Sequence, residues 1–334
     1  DGKDDQSWRY NPEFNTEAYS RIEDNAFLDV KQNSLSTFSV DVDTASYSNV
    51  RRFLTDGQLP PKDAVRIEEM INYFSYNYAA PTGPHPFSVT MEHSAAPWNP
   101  DHELVLIGLQ AKKSAEDKMP PRNLVFLVDV SGSMDEPNKL PLLKRSLALL
   151  ADQLTEKDHV AIAVYAGVAG LALEPTSGAD KGKIKAALAE LHAGGSTNGA
   201  QGIELAYATA KKFFRKDGIN RVILATDGDF NVGVTNEGDL TRLIEEKRKD
   251  GIFLTVLGFG MGNLKDSTME KLADKGNGNY AYIDNFSEAR KVLVEQAGGT
   301  LVTVAKDVKI QVEFNPAQVS AYRLIGYENR LLRN

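Results

Sequence analysis

NLVFLVDVSGSM, residues 123–134, joins an apolar run to a polar loop. The five consecutive apolar residues from Leu124 to Val128 are typical of a strand that is covered on both faces of a parallel sheet. Asp129, Ser131 and Ser133 follow at alternate positions. A buried strand accounts for the apolar half only. The polar half indicates either an ordinary strand exit or the first loop of a binding site.

The pattern that follows decides the fold class. Short apolar runs alternate with helical periodicity up to about residue 298, which predicts βαβ crossovers and an α/β fold with a doubly wound, mostly parallel sheet. In such a sheet the ligand site lies beyond the carboxyl ends of the strands, where residues 129–133 fall. We expect strands at 123–129, 159–166, 220–226, 252–258 and 279–283, and helices at about 139–154, 181–191, 199–215, 236–250, 266–275 and 286–298.

The rest of the chain divides around this α/β region. Two strand-rich stretches, 87–110 and 301–327, flank it, so we expect them to meet in one smaller β-rich domain into which the α/β domain is inserted. The expected boundaries are 1–35 for an extended N-terminal arm, 36–118 for an N-terminal flanking α+β region, 119–300 for the α/β domain, and 301–334 for C-terminal strands that pack with the N-terminal flank.

Composition excludes several classes of function. A formal net charge of −8 argues against nucleic acid as a partner, since nucleic acid is usually met by clustered Lys and Arg. The absence of cysteine excludes disulfides, thiolate metal sites and cysteine nucleophiles. No run of about 18 apolar residues is present, so no membrane span is expected. The chain starts without Met, and we expect a trimmed piece from which a signal peptide or lipid anchor has been removed.

Two further loops at predicted strand or helix ends complete a candidate metal site. AGGSTNGAQG carries Ser196, Thr197 and Asn198 in front of a helix, and ATDGDFNVG places Asp227 at a strand end. With Asp129, Ser131 and Ser133, these loops supply two carboxylates and hydroxyl oxygens at one edge of the sheet. Hard oxygen ligands suit Mg²⁺, or Mn²⁺ as a close substitute, with Ca²⁺ as a further candidate. One coordination position is left for a water molecule or a carboxylate from a partner.

These residues resemble the metal-ion-dependent adhesion site (MIDAS) of the von Willebrand factor type A (VWA) family. Its pattern, Asp-x-Ser-x-Ser followed by Thr and then Asp, is matched in order by Asp129, Ser131, Ser133, Thr197 and Asp227. The resemblance covers about residues 120–300. It implies that the two serines and the threonine bind the metal directly and that the aspartates bind it directly or through water. It also implies a non-enzymatic module that coordinates a Glu or Asp side chain of a protein partner.

The flanks STFSVDVDTASYSNVRRFL, EEMINYF and APWNPDHELVLIGL resemble the N-terminal region of bacterial secreted lipoproteins that contain this domain. That resemblance implies export to the periplasm or cell surface and a lipid anchor in the full-length protein. An alternative function is a structural scaffold of the cell envelope whose site is empty or binds metal only for stability. Under the adhesion hypothesis, Asp129→Ala is expected to abolish metal binding while the fold stays intact.

Two other acidic motifs have competing interpretations. SVDVDTAS places Asp41 and Asp43 after a short apolar stretch, as in haloacid-dehalogenase-like phosphotransferases, where the first Asp is the nucleophile. Capping of a helix that starts at Ala45 by Asp43 or Thr44 is the simpler interpretation. Asp229, after Gly228, is interpreted as a turn residue, with an outer metal ligand as the alternative.

Overall fold

The structure is a computed structural model that describes residues 16–40, 42–112, 119–196, 199–228, 237–296, 304–305 and 308–332. These residues form two compact units. Unit 1 holds the described residues of 16–22, 43–65 and 121–295, and unit 2 holds those of 23–42, 66–120 and 296–332. Thr197, Asn198, Asp41 and Asp229 lie outside the described residues.

Unit 1 is built on a six-stranded sheet with the strand order β10-β9-β8-β5-β6-β7. All neighbouring pairs are parallel except β6 and β7, which are antiparallel. The doubly wound, mostly parallel sheet expected from the sequence is therefore confirmed. The strands are β5 (Arg122–Asp129), β6 (His159–Tyr165), β7 (Ala169–Ser177), β8 (Ile219–Thr226), β9 (Ile252–Phe259) and β10 (Tyr280–Ile283).

Helices connect these strands and bury both faces of the central strand β5. Val125 and Leu127 pack in a core with apolar residues of α5, α6 and α7, and the alternate residues Leu124, Phe126 and Val128 are equally buried. Because successive side chains of a strand point to opposite faces, β5 is covered on both sides. The helices of unit 1 are α1 (Ala45–Thr55), α3 (Leu140–Asp152), α4 (Lys181–Ala189), α5 (Gly199–Lys212), α6 (Glu237–Lys249), α7 (Asp266–Lys275) and α8 (Phe286–Arg290), the last continuing as a π-helical turn at Lys291–Glu295; α2 (Ile67–Asn72) belongs to unit 2.

Strand β7 is the one element of this sheet that the sequence patterns do not predict. It lies at the sheet edge and is only partly buried, so it shows neither a continuous apolar run nor a clean alternation. A three-residue connection from the end of β6 returns the chain antiparallel to it. Such a connection needs no crossover helix, so the alternation of strand and helix patterns does not indicate β7.

Helix α1 belongs to unit 1, although the expected boundaries place it in the N-terminal flank. Ser48 Oγ donates to the Tyr282 carbonyl at 2.7 Å, and the Tyr280 amide donates to Asp43 Oδ1 at 2.8 Å. Both bonds tie α1 and its entry to the edge strand β10. The capping interpretation of Asp43 and Thr44 is wrong, because Thr44 is the N-cap residue without a side-chain capping bond and the Asp43 carboxylate accepts from β10 instead.

Unit 2 contains three two-stranded antiparallel sheets and helix α2 among its described residues. β1 (Leu28–Asp29) pairs with β12 (Ala321–Tyr322), and β2 (Leu35–Ser39) pairs with β11 (Lys309–Glu313). β3 (Phe87–Ala96) and β4 (Asn99–Ala111) form a long hairpin. The C-terminal strands therefore pair with residues 28–39, and the two strand-rich stretches that were expected to meet, 87–110 and 301–327, form separate sheets. No helix among the described residues is long and apolar enough to cross a bilayer.

Candidate metal centre

The two candidate carboxylates lie at the carboxyl ends of adjacent parallel strands. Asp129 is the last residue of β5, and Asp227 follows Thr226 at the end of β8. Both side chains are fully buried. The chain leaves β5 toward β6 on one side and leaves β8 toward β9 on the other, so the two loops open a crevice at the point where the winding direction reverses.

Asp129 is held by three donors from different segments. Its Oδ1 accepts from the Ser131 amide at 2.9 Å, and its Oδ2 accepts from Thr226 Oγ1 at 2.9 Å and from the Tyr165 hydroxyl at 3.1 Å. Burial raises the pKa of the Asp129 carboxyl, and the charge of Asp227 raises it further, against the lowering effect of the hydrogen bonds from Ser131 and Thr226. The carboxylate has about four acceptor positions, and most are occupied by protein donors.

Tyr165 stays a hydrogen-bond donor at this position. Burial and the adjacent Asp129 charge hold the pKa of its phenol far above the ordinary range. A neutral phenol therefore fixes the orientation of the Asp129 carboxylate at all pH values near neutrality.

Ser131 and Ser133 bring two hydroxyl oxygens together. Their Oγ atoms are 3.1 Å apart, with Ser131 buried and Ser133 half-buried. Two adjacent ligands of an octahedral Mg²⁺ ion with bonds of about 2.0–2.1 Å are separated by about 2.8–3.0 Å. The spacing of the serine pair therefore matches one edge of a magnesium coordination octahedron.

The loop before Thr197 is joined to the serine loop through backbone hydrogen bonds. The Gly132 amide donates to the Gly195 carbonyl at 3.1 Å, and the Gly194 amide donates to the Val130 carbonyl at 2.8 Å. These bonds place residues 193–196 beside residues 130–133. Thr197 follows directly but lies outside the described residues, so its assignment as a ligand stays a prediction.

Asp227 has two polar neighbours that sequence reasoning missed. Its Oδ2 accepts from Asn263 Nδ2 at 2.8 Å and lies 3.3 Å from Lys139 Nζ. Lys139 immediately precedes α3, and Asn263 lies in the loop after β9, within the stretch GFGMGN. Neither residue belongs to a sequence motif that indicates metal binding. Only the strand-end position of the GFGMGN loop could have indicated Asn263.

The residues present fit a divalent cation bound by oxygen. The described donors are two serine hydroxyls and two buried carboxylates at one sheet edge. No group of three or more acidic, His or Cys side chains with metal-binding geometry occurs in the described part of the chain. A set of this composition is hard and carries little negative charge, which suits Mg²⁺ and Mn²⁺ better than a soft or nitrogen-preferring metal.

The phosphotransferase interpretation can be compared with the structure only at Asp43, because Asp41 lies outside the described residues. Asp43 is buried and holds the Tyr280 amide, and it precedes α1 without following a strand of the parallel sheet. A nucleophilic Asp of that class stands at the end of a central parallel strand. Asp43 is therefore a structural residue in this fold.

Comparison with known proteins assigns the family. Residues 123–296 match the von Willebrand factor type A domain, residues 13–106 match a family described as von Willebrand factor, and residues 299–334 match the C-terminal part of the uncharacterized protein YfbK. The chain belongs to the von Willebrand factor type A domain family.

Several individual proteins are similar to this chain. The uncharacterized protein YfbK of Escherichia coli (strain K12) is 49% identical over 325 residues, which cover 95% of this chain and 56% of YfbK. The chain thus spans little more than half of that relative. The crystal structure of the conserved hypothetical protein BatB from Bacteroides thetaiotaomicron is 21% identical with a TM-score of 0.46, covering 53% of this chain and 98% of BatB. Proximal thread matrix protein 1 from the mussel byssus, solved with a zinc-occupied MIDAS motif, is 21% identical with a TM-score of 0.44, covering 62% of this chain and 49% of that one.

Proposed function

We propose that unit 1 is a non-enzymatic, metal-dependent protein-binding module. Ser131, Ser133 and Thr197 would bind the metal directly, and Asp129 and Asp227 would bind it directly or through water. The observation that carries the proposal is the serine oxygen pair, 3.1 Å apart, beside two fully buried carboxylates. When bound, a divalent cation with few charged ligands supplies a Lewis-acidic position for a Glu or Asp carboxylate of a partner.

The surroundings of the site favour binding over hydrolysis. A metal-assisted hydrolase needs a general base beside the ion. Asp129 is held by three hydrogen bonds, and Asp227 accepts from an amide and an ammonium. These donors are neutral or cationic groups, which orient an anion and do not remove a proton.

A calorimetric titration of chelator-treated protein with Mg²⁺, Mn²⁺ and Ca²⁺ tests the metal step. We expect saturable binding at one site for Mg²⁺ or Mn²⁺, weakened at least about tenfold in Ser133→Ala because one direct ligand is lost. Ser287→Ala, at an exposed position in α8, is the matched control and should bind as the native protein does. Equal affinity in all three proteins would refute the assignment of the site.

The structure shows why Asp129→Ala is the weaker test. Removing this carboxylate takes away a buried acceptor that the Tyr165 hydroxyl, Thr226 Oγ1 and the Ser131 amide share. Each such loss costs about 1–3 kcal/mol, so loss of metal binding in that variant would not be separable from loss of folding. Ser133 is only half-buried and avoids this problem.

The partner step needs its own test. Metal-loaded protein should bind peptides that carry a Glu or Asp side chain, and the same peptides with Gln or Asn in its place should not bind. Metal binding without any carboxylate-dependent partner would favour the structural scaffold of the cell envelope instead.

We also propose that the full-length protein is exported to the periplasm or cell surface and held there by a lipid anchor. The support is the resemblance of its flanks to secreted bacterial lipoproteins. Fractionation of cells that express the full-length protein checks this proposal, and recovery in the cytoplasmic fraction would refute it.

A further inference from the structure

Lys139 places a buried positive charge against the metal site. Its side chain is 3% exposed, and its Nζ lies 3.0 Å from the Ser133 carbonyl oxygen, 3.3 Å from Asp227 Oδ2 and 3.3 Å from Asn263 Oδ1. Glu136 Oε1, on a half-exposed side chain, is 3.5 Å away. The ammonium therefore contacts both a carboxylate and the backbone of a serine that we assign to the metal.

The fold holds the Lys139 side chain in this place. Gly260, in the loop after β9, has a φ of +76°, and a Cβ there would lie 2.3 Å from Lys139 Cε. The aliphatic stem thus fills space that only a glycine leaves open. The backbone is fixed as well, because the Lys139 amide donates to the Glu136 carbonyl at 2.9 Å and the Leu143 amide donates to the Lys139 carbonyl at 2.8 Å. A buried ammonium so enclosed is a fixed part of the site.

The charge of the site follows from this placement. Among the buried groups, Asp129 and Asp227 with Lys139 leave one net negative charge, and a divalent cation turns it into one net positive charge. Glu136 is left out of this count because its side chain is 51% exposed and its charge is screened by water. Like charges repel strongly at short distance where water is excluded. A carboxylate ligand on the metal restores neutrality. The ammonium therefore weakens the binding of metal alone more than it weakens the binding of metal with a carboxylate.

We propose that Lys139 is a specificity-determining residue that makes metal and carboxylate binding cooperative. The inference rests on the proposed function and adds to it a reason why the site selects an anionic partner. By linkage, the factor by which a carboxylate raises metal affinity equals the factor by which metal raises carboxylate affinity. Removing the ammonium should raise the affinity for metal alone and reduce the factor by which a carboxylate increases it.

The experiment is a titration of chelator-treated protein with Mn²⁺, followed by calorimetry and by the paramagnetic signal of free Mn²⁺, in acetate buffer and in chloride buffer of equal ionic strength. Native protein should bind Mn²⁺ several-fold more tightly in acetate. Lys139→Met keeps the stem and removes the charge, and it should bind Mn²⁺ in chloride at least about tenfold more tightly than the native protein, with a smaller acetate effect. Lys139→Gln, a second neutral variant, should behave in the same way.

Lys144→Met is the matched control. Lys144 lies on α3, five residues after Lys139, and its ammonium bonds the carbonyl oxygens of Ala189 and Leu191, so the variant should match the native protein in both buffers. The thermal midpoint of the metal-free proteins gives an independent readout. The two Lys139 variants should unfold at lower temperature than the native protein without metal, because Asp227 loses its ammonium, and should gain more from Mn²⁺.

The outcomes separate the two proposals. Unchanged or weaker Mn²⁺ binding in the folded Lys139 variants, or an undiminished acetate effect, would overturn the role of Lys139 and leave the metal site in place. No Mn²⁺ binding by any of the proteins would overturn the proposed function and this inference with it.

Discussion

Glu17→Gln tests the ion pair that holds residues 16–22 against α1 and the loop after β9 within unit 1. Glu17 Oε1 accepts from Arg52 Nη1 at 2.9 Å and from the Gly262 amide at 2.7 Å, and Oε2 accepts from Arg52 Nη2 at 3.0 Å. The side chains of Glu17 and Arg52 are 2% and 7% exposed. Burial by itself would raise the pKa of Glu17, but the Arg52 guanidinium holds it below the ordinary value of 4.5, so the carboxylate is charged at neutral pH.

The magnitude follows from leaving Arg52 buried without its counter-charge. Removing one partner of a buried pair costs about 3–5 kcal/mol. The equilibrium constant for local detachment of the Glu17 segment should therefore rise about 10²- to 10⁴-fold. The Ala18 amide, which donates to the Leu264 carbonyl at 2.9 Å, and the Gly262 amide both report this opening. Hydrogen exchange of these two amides should accelerate by that factor in Glu17→Gln.

An exposed ion pair supplies the control for that measurement. Asp152 and Lys185 approach to 2.6 Å, but both side chains are more than 40% exposed. Such a pair is worth about 0–1 kcal/mol, so Asp152→Asn should leave exchange of the Ala18 and Gly262 amides unchanged. Native exchange rates at those amides in Glu17→Gln would refute the reasoning that the buried pair holds the segment.

Three further changes test other parts of unit 1. In Gly202→Ala, the new Cβ on α5 would lie 2.8 Å from Tyr165 Cβ, so we expect a loss of about 1–3 kcal/mol in chemical denaturation, and native stability would contradict the close packing of α5 on β6. Tyr165→Phe removes a buried hydrogen bond to the Asp129 carboxylate and should cost about 1.5–3 kcal/mol in the same assay, while an unchanged value would mean that the phenol does not hold Asp129. Burial alone would raise the pKa of Asp158, but hydrogen bonds from Arg122 lower it below 3.8. The contribution of Asp158 to stability is therefore complete above that pH and is lost as the pH falls through the lowered pKa. Asp158→Asn should reduce the dependence of stability on pH in this acid range, and an unchanged dependence would contradict the role of the Arg122–Asp158 pair.

The sequence predicts those parts of the site whose position depends on local structure. Asp129 ends an apolar strand, and Ser131 and Ser133 follow within one short loop, so their proximity needs only the strand and its exit. Asp227 could be added because parallel strands end at the same edge of a sheet. Each of these inferences uses a strand boundary, which apolar runs mark well in a buried parallel sheet.

Contacts between remote segments could not be predicted in the same way. Lys139 reaches Asp227 across 88 positions of the chain, and Glu17 reaches Gly262 across 245. Their residue types are also the ordinary types of exposed positions, and periodicity carries no signal for a buried cation or carboxylate. Strand β1 of unit 2 was missed for a related reason, since its two residues are too few to show any alternation.

These remote contacts all involve the loop after β9, which contains Gly260, Gly262 and Asn263. Asn263 donates to Asp227, and its neighbour Gly262 is bonded to Glu17. The loop also provides Gly260, which makes room for the Lys139 stem. A chain of contacts is not by itself evidence of energetic coupling. The contacts do, however, restrict how the neighbourhood of Asp227 can respond to a cation: Lys139 and Asn263 both bond to its Oδ2, and neither can move away without disturbing the loop after β9. The two serines lie in the loop after β5, which is held by residues 193–196 and, through the Ser133 carbonyl, by Lys139 as well. The same ammonium therefore bonds both the serine loop and Asp227, so a cation bound between them cannot shift either one without affecting the contacts of Lys139.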